Sequence, residues 1–122
     1  MGADRDSPAA LHVCALNKER NRAKNAQVCE ADWATVESAE PFDLVLGSDV
    51  LYVTTMHDRL RAICDAYLAP GGKALFSDPL REQSLPMLEA MEASGWRVSL
   101  AKWSVQVEDS ARTIAVYEAV RP

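Results

Sequence analysis

From Pro41 to Tyr52 the chain reads Pro-Phe-Asp-Leu-Val-Leu-Gly-Ser-Asp-Val-Leu-Tyr, and this segment restricts the possible folds more than any other. Alternate side chains of a strand point to opposite faces, so the consecutive apolar residues Leu44, Val45 and Leu46 predict a strand buried on both, as in the middle of a parallel sheet. The run ends at Gly47-Ser48, where backbone can bend tightly or be approached closely. Asp49 follows, with Tyr52 three residues on. In open α/β sheets ligands bind beyond the carboxyl ends of the strands, which is where Asp49 and Tyr52 fall. Asp49 reads equally well as a cap on the next turn, a common use of Asp.

Strand and helix patterns alternate on either side. Ser7-Pro8 pairs an N-cap residue with proline at the first helical position, predicting a helix to about Asn21. Residues 26–30 form a short strand that ends at Ala31-Asp32-Trp33, and residues 34–40 a loop or a poor helical turn. Thr55-Met-His-Asp58 resembles a capping box. Met56, Leu60, Ile63, Cys64 and Tyr67 recur behind it at helical spacing, until Pro70-Gly71-Gly72 stops the helix. Residues 73–77 are a strand and Asp78-Pro79-Leu80-Arg81 a loop; Ser84 then starts a helix that tolerates Pro86 in its first turn and ends at Gly95. Residues 96–103 and 112–119 are two strands whose linking polar loop has no room for a helical crossover, so they pair antiparallel. The order describes an α/β sandwich, one domain across residues 1–122, with mixed-sheet character at one edge and its first strand cut short.

Bulk properties narrow the function. A net charge of −5, with 13 Lys and Arg scattered along the chain, argues against nucleic acid as a main partner. The three cysteines, Cys14, Cys29 and Cys64, are odd in number and lack CxxC spacing, which fits neither a disulfide framework nor a zinc site. Cys14 and Cys64 read as core residues, His12 and His57 as helix-surface residues without metal-ligand spacing, and Trp96 and Trp103 as packing residues. No apolar run approaches a membrane span and the start of the chain is no signal sequence, so the reading is a cytosolic or nuclear protein.

The acids have a pattern of their own. Asp4 and Asp6 follow the truncated first strand, and Asp32, Asp49 and Asp78 end the next three. Parallel strands would gather them along one edge of the sheet, where an ionised carboxylate can accept from the paired hydroxyls of a ribose. Each is also a plausible loop cap.

Taken in order, these residues resemble the seven-stranded S-adenosylmethionine-dependent methyltransferases, and most closely their protein-lysine methyltransferase-like branch. Ala3-Asp4-Arg5-Asp6, before a helix holding Asn17 and Asn21, is similar to the family's ribose-binding acid and its Asn-xxx-Asn helix. Ala31-Asp32-Trp33 resembles the Asp-Trp step beside the adenine, and Asp49-Val-Leu-Tyr52 the DxxY motif beside the methyl-transfer site. Pro70-Gly71-Gly72-Lys73, the Asp78-to-Arg81 turn and Gly95-Trp96 fit later elements. The resemblance implies a Rossmann-like fold with an antiparallel C-terminal strand pair, S-adenosylmethionine as cofactor, and a protein substrate. By that resemblance Asp49 and Tyr52 act on the methyl acceptor, Asp4 holds the ribose, Asp32 and Trp33 the adenine, and Ser48 lines the same pocket. No metal is implied.

The family opens with an apolar strand and a GxGxG-type loop that grips the methionine end of the cofactor, and nothing precedes Met1-Gly2-Ala3 here. In the family's sheet that strand lies between those ending at Asp4 and Asp49, so its absence is expected to leave unpaired strand edges and half a pocket. The chain is thus expected to be an N-terminally truncated methyltransferase. Two other classes stay open: a non-catalytic methyltransferase-like module binding a partner along its sheet edge, and a receiver-type phosphoacceptor domain using Asp4, Asp6, Asp49, Ser77 and Lys102. For the methyltransferase, the resemblance predicts weak or undetectable S-adenosylmethionine binding by this chain. Isothermal titration should find no tight site, and micromolar affinity would mean that another segment replaces the glycine loop.

Overall fold

A computed structural model describes residues 2–3, 8–29 and 40–122, which divide into two compact units at the gap between 29 and 40. The N-terminal unit is a small βαβ arrangement. Strand β1 (Gly2–Ala3) pairs parallel with β2 (Val28–Cys29), joined through helix α1 (Pro8–Arg20). Arg22, in the left-handed region at φ 54°, closes α1. The amide of Ala23 donates to the carbonyl of Lys18 and that of Arg22 to Glu19, both at 3.0 Å, so orphan carbonyls of the last turn are satisfied. Cys14 is exposed and not a core residue, as are Val13 and Leu16. The apolar residues of α1 are spread around the helix rather than aligned along one stripe, and no single face can bury them together.

The second unit is built on a four-stranded sheet of order β3-β4-β6-β5, in which β3 (Phe42–Ser48) runs parallel to β4 (Leu68–Asp78). Strands β5 (Arg97–Val107) and β6 (Ser110–Val120) form the expected antiparallel pair, and β6 is inserted between β4 and β5. Both are longer than the sequence suggests: pairing continues to Val107 opposite Ser110, and only Glu108 and Asp109 turn the hairpin. Glu108 takes the left-handed φ of 54° that such a tight turn needs.

Helices α2 (His57–Tyr67) and α3 (Leu85–Ala93) pack on β4 and β5 respectively and on each other. The sheet face carrying Ala74, Phe76, Asp78, Ala115, Tyr117 and Ala119 is buried together with Leu60, Cys64, Met87, Leu88 and Met91. The helical spacing behind Met56 therefore marks a true buried stripe, with Leu60 and Cys64 innermost. The capping box is absent. A 3-10 turn (Thr54–Met56) leads into α2, and neither start has a side-chain cap. His57 is buried, not on the surface, because its Nε2–H donates to the Leu51 carbonyl at 2.6 Å.

Three further expectations are corrected. Helix α2 ends at Tyr67, before Pro70-Gly71-Gly72, and those residues belong to β4. The register there jumps from Phe42–Leu68 to Leu44–Lys73, so residues 69–72 bulge against Asp43. Gly71 has a φ of 75°, and a Cβ on Gly72 would stand 2.8 Å from the Ala69 carbonyl oxygen. The run at 44–46 is not buried on both faces: Leu44 is 44% and Leu46 70% exposed. Strand β3 ends the four-stranded sheet, and the helices of this unit cover the face that presents Val45 and Gly47, opposite Ala74 and Phe76. Trp96 is buried, but Trp103 lies on the other face at 61% exposure and packs no core. No helix among the described residues is long and apolar enough to cross a membrane.

Replacing Leu60 by Ala should cost about 2–5 kcal/mol in urea unfolding, the usual range for a large buried aliphatic side chain. Burial, followed by the neighbouring charge of Asp65, raises the Cys64 thiol from 9.0 to about 12. The native thiol should therefore resist iodoacetamide at pH 8 while Cys14 reacts. The sign for stability follows: between pH 9 and about 12 the unfolded thiol ionises and the native one does not, so the Cys64 contribution falls as pH rises through that window.

Candidate functional site at the ends of two parallel strands

Parallel pairing in register, with Ser48 opposite Ser77, brings the residues that follow β3 and β4 side by side. An Asp stands at each strand end, Asp49 just after β3 and Asp78 as the last residue of β4, and the two have different uses. Asp78 is 1% exposed and turns inward. Its Oδ2 accepts the Arg81 amide at 2.8 Å and its Oδ1 accepts the Ser84 hydroxyl at 2.8 Å. A buried carboxylate needs such donors, since an ion left unpaired in the interior is costly. The two bonds fold residues 78–84 into a fixed loop that leads through a 3-10 turn (Glu82–Ser84) into α3. Leu80 takes a left-handed φ of 63° within it. Burial first, and the nearby Asp78 charge second, push the Tyr117 hydroxyl above its ordinary pKa.

Asp49 faces outward. Its φ is 51°, a conformation that Asp tolerates better than most residues, and its amide donates to the Ser77 carbonyl at 2.8 Å. The loop behind it is held where His57 binds the Leu51 carbonyl, with Leu51 fully buried. Gly47 is required just ahead: a Cβ there would meet Phe76 and Val50 side chains at 2.8 Å. With its backbone pinned, Asp49 presents its carboxylate to the Arg81 guanidinium, whose Nη1 donates to Oδ1. The same guanidinium lies over the ring of Tyr52, with its carbon 4.8 Å from the centroid. All three side chains reach solvent.

Asp49, Tyr52 and Ser48 thus meet at one strand-end edge. Ser48 accepts a hydrogen bond from the Ser77 hydroxyl at 3.1 Å, leaving its own O–H to donate. Asp4, Asp6, Asp32 and Trp33 lie outside the described residues. Asn21 caps α1 with its side chain, donating from Nδ2 to the Asn17 carbonyl at 2.8 Å. Lys102 stands mid-strand opposite Ala115. Sequence reasoning overlooked Arg81 as a site residue. The signal was its spacing, three residues after a strand-end Asp that can fold a turn onto its amide.

Comparison with solved structures identifies the fold. A precorrin-6y C5,15-methyltransferase from Geobacter metallireducens superposes with a TM-score of 0.73 at 18% identity, over 98% of this chain and 65% of that one. A magnesium protoporphyrin IX methyltransferase from Synechocystis with bound S-adenosylmethionine gives 0.69 at 16% identity, over 99% and 58%. The N-methyltransferase NodS from Bradyrhizobium japonicum, in complex with S-adenosylhomocysteine, gives 0.61 at 20% identity, over 88% and 62%. This chain has the Rossmann-like methyltransferase fold. It spans about two-thirds or less of the length of these three neighbours. No protein-family model and no curated protein matches its sequence.

Among the described residues, the Ser48 and Ser77 hydroxyls and the Asp49 carboxylate suit the rim of a polar cofactor carrying amino and hydroxyl groups. They do not by themselves enclose one.

Proposed function

We propose that this chain carries the acceptor side of an S-adenosylmethionine-dependent methyltransferase whose acceptor is an amine, of the protein-lysine N-methyltransferase-like kind. The supporting observation is that Asp49 and Tyr52 together hold a cation, the Arg81 guanidinium, at the carboxyl ends of two parallel strands in a methyltransferase fold. A carboxylate beside an aromatic face is a setting suited to an alkylammonium group.

S-adenosylmethionine, when bound, supplies an electrophilic methyl group. The residues here have the other half of the task. A lysine amine has an ordinary pKa of about 10.4, so it must lose a proton before its lone pair can react. Asp49 accepts an N–H bond from the amine, which fixes the direction of the lone pair, and its negative charge stabilises the ammonium that forms. Tyr52 walls one side of the acceptor path and favours a cation by its ring face. Holding donor and acceptor in line is where most of the rate enhancement of such a displacement is expected to arise. Ser48 is assigned to the cofactor rim, and Asp4, Asp32 and Trp33 to its ribose and adenine, on the strength of the sequence resemblance alone.

The test uses an active parent protein that contains this chain together with an apolar strand and glycine-rich loop. Asp49→Asn preserves the shape and removes the charge. Turnover should fall by roughly 10²-fold, about 2.7 kcal/mol of transition-state stabilisation, with little change in cofactor affinity. Turnover within a factor of about two of the parent would leave Asp49 as a turn residue only.

A further inference from the structure

Arg81 is held in its place from both ends. Its backbone amide is bound by the buried Asp78, which sets where the side chain begins, and its guanidinium is bound by Asp49 and stacked on Tyr52. The ring and the carboxylate are the two groups to which the proposed acceptor site assigns the substrate amine. One internal cation therefore uses both recognition elements at once. A planar guanidinium suits this double role, since it can donate in its plane to a carboxylate while its face lies on an aromatic ring.

The pairing is also exchangeable. The Arg81 side chain is 38% and the Asp49 side chain 50% exposed, and ion pairs this open to water are weak because solvent screens them. Its anchoring differs from that of the loop: the Asp78 carboxylate that fixes the Arg81 backbone is buried and doubly bonded. The side chain can leave Asp49 while the loop stays in position.

We infer that Arg81 is a specificity-determining residue that occupies the acceptor subsite as an internal stand-in for the substrate, so that an acceptor amine binds by displacing its guanidinium from Asp49 and Tyr52. This inference rests on the amine-acceptor reading above and adds a threshold to it. A lone alkylammonium competes poorly against a tethered guanidinium. An acceptor that brings extra binding energy from its surroundings, as a lysine within a protein segment does, can displace it. Arg81 thereby discriminates against free small amines.

The experiment titrates the full chain with n-butylammonium chloride, the lysine side chain without its backbone, and follows the Tyr52 ring signals by NMR. Arg81→Ala and Arg81→Gln should each tighten butylammonium binding about 5- to 30-fold relative to the parent, the range expected for losing an exposed ion pair and one cation–π contact as competitors. Arg81→Lys, which keeps a tethered cation but not the planar guanidinium, should fall between the parent and Arg81→Ala, and adding Asp49→Asn to Arg81→Ala should abolish the gain. Backbone amide signals of β3 and β4 report that each variant is folded, and Arg81→Gln retains most of the side-chain stem should the alanine variant unfold. Equal Asp49-dependent affinity in parent, Arg81→Ala and Arg81→Gln would overturn the role of Arg81 and leave the cation site standing. Absence of Asp49-dependent binding in every variant would overturn the amine-acceptor reading, and this inference with it.

Discussion

The buried carboxylate of Asp78 is the interaction on which the strand-end edge depends. It lies at the carboxyl end of β4, almost wholly out of solvent, and takes one donor from the backbone of Arg81 and one from the side chain of Ser84. Hydrogen bonds to a charged group contribute about 1.5–3 kcal/mol each, more than neutral ones. Between them these two bonds set the path of the 78–84 loop, the entry to α3 and the origin of the Arg81 side chain. Because β3 is parallel to β4 and in register at Ser48 and Ser77, the same loop faces the segment after β3. One buried acid thus sets the position of an exposed pair, Arg81 and Asp49, that could not hold its own geometry by strength alone.

The neighbouring loop is fixed by another polar group in the interior. His57 enters the core at the start of α2 and donates to the carbonyl of Leu51, the most deeply buried residue of the 49–53 segment. That bond satisfies a carbonyl which strand and helix both leave unpaired. Asp49 and Tyr52 are consequently displayed from a short stretch anchored at its middle by Leu51 and at its start by the Asp49 amide on Ser77. Both loops adjoin strand ends of a sheet whose helix-covered face is closely filled, with Ala74, Ala115 and Ala119 all fully buried. The small side chains on that face let α2 and α3 approach the sheet.

How far the site was legible in the sequence follows from what local patterns encode. Asp49 and Tyr52 stood out as candidates because an apolar strand, a Gly-Ser pair and an acid are consecutive features. Arg81 did not, since its place beside them depends on the register between two strands that lie 29 residues apart in sequence at Ser48 and Ser77. Cys14 and Trp103 were misplaced for a related reason. Periodicity says which residues share a face, but whether that face meets a partner is set by the neighbouring elements. His57 was misread in the opposite direction: a polar residue at a helix start was taken as exposed, when an unpaired carbonyl in the core was waiting for its N–H.

The sequence by itself determined the alternation of strands and helices, the amphipathic stripe of α2, the antiparallel pairing of the last two strands and the glycine stop at Gly95. Each is a local consequence of side-chain period, backbone freedom or loop length. Tertiary structure decided which sheet face is covered, that Pro70-Gly71-Gly72 forms a bulge in β4 instead of a helix stop, and that of two strand-end acids one is buried as a brace and the other left outside with Arg81 and Tyr52. Those outcomes depend on register and burial, which bring together residues distant in the chain. The energy of a charged group is then set by its neighbours in space rather than by its place in the sequence.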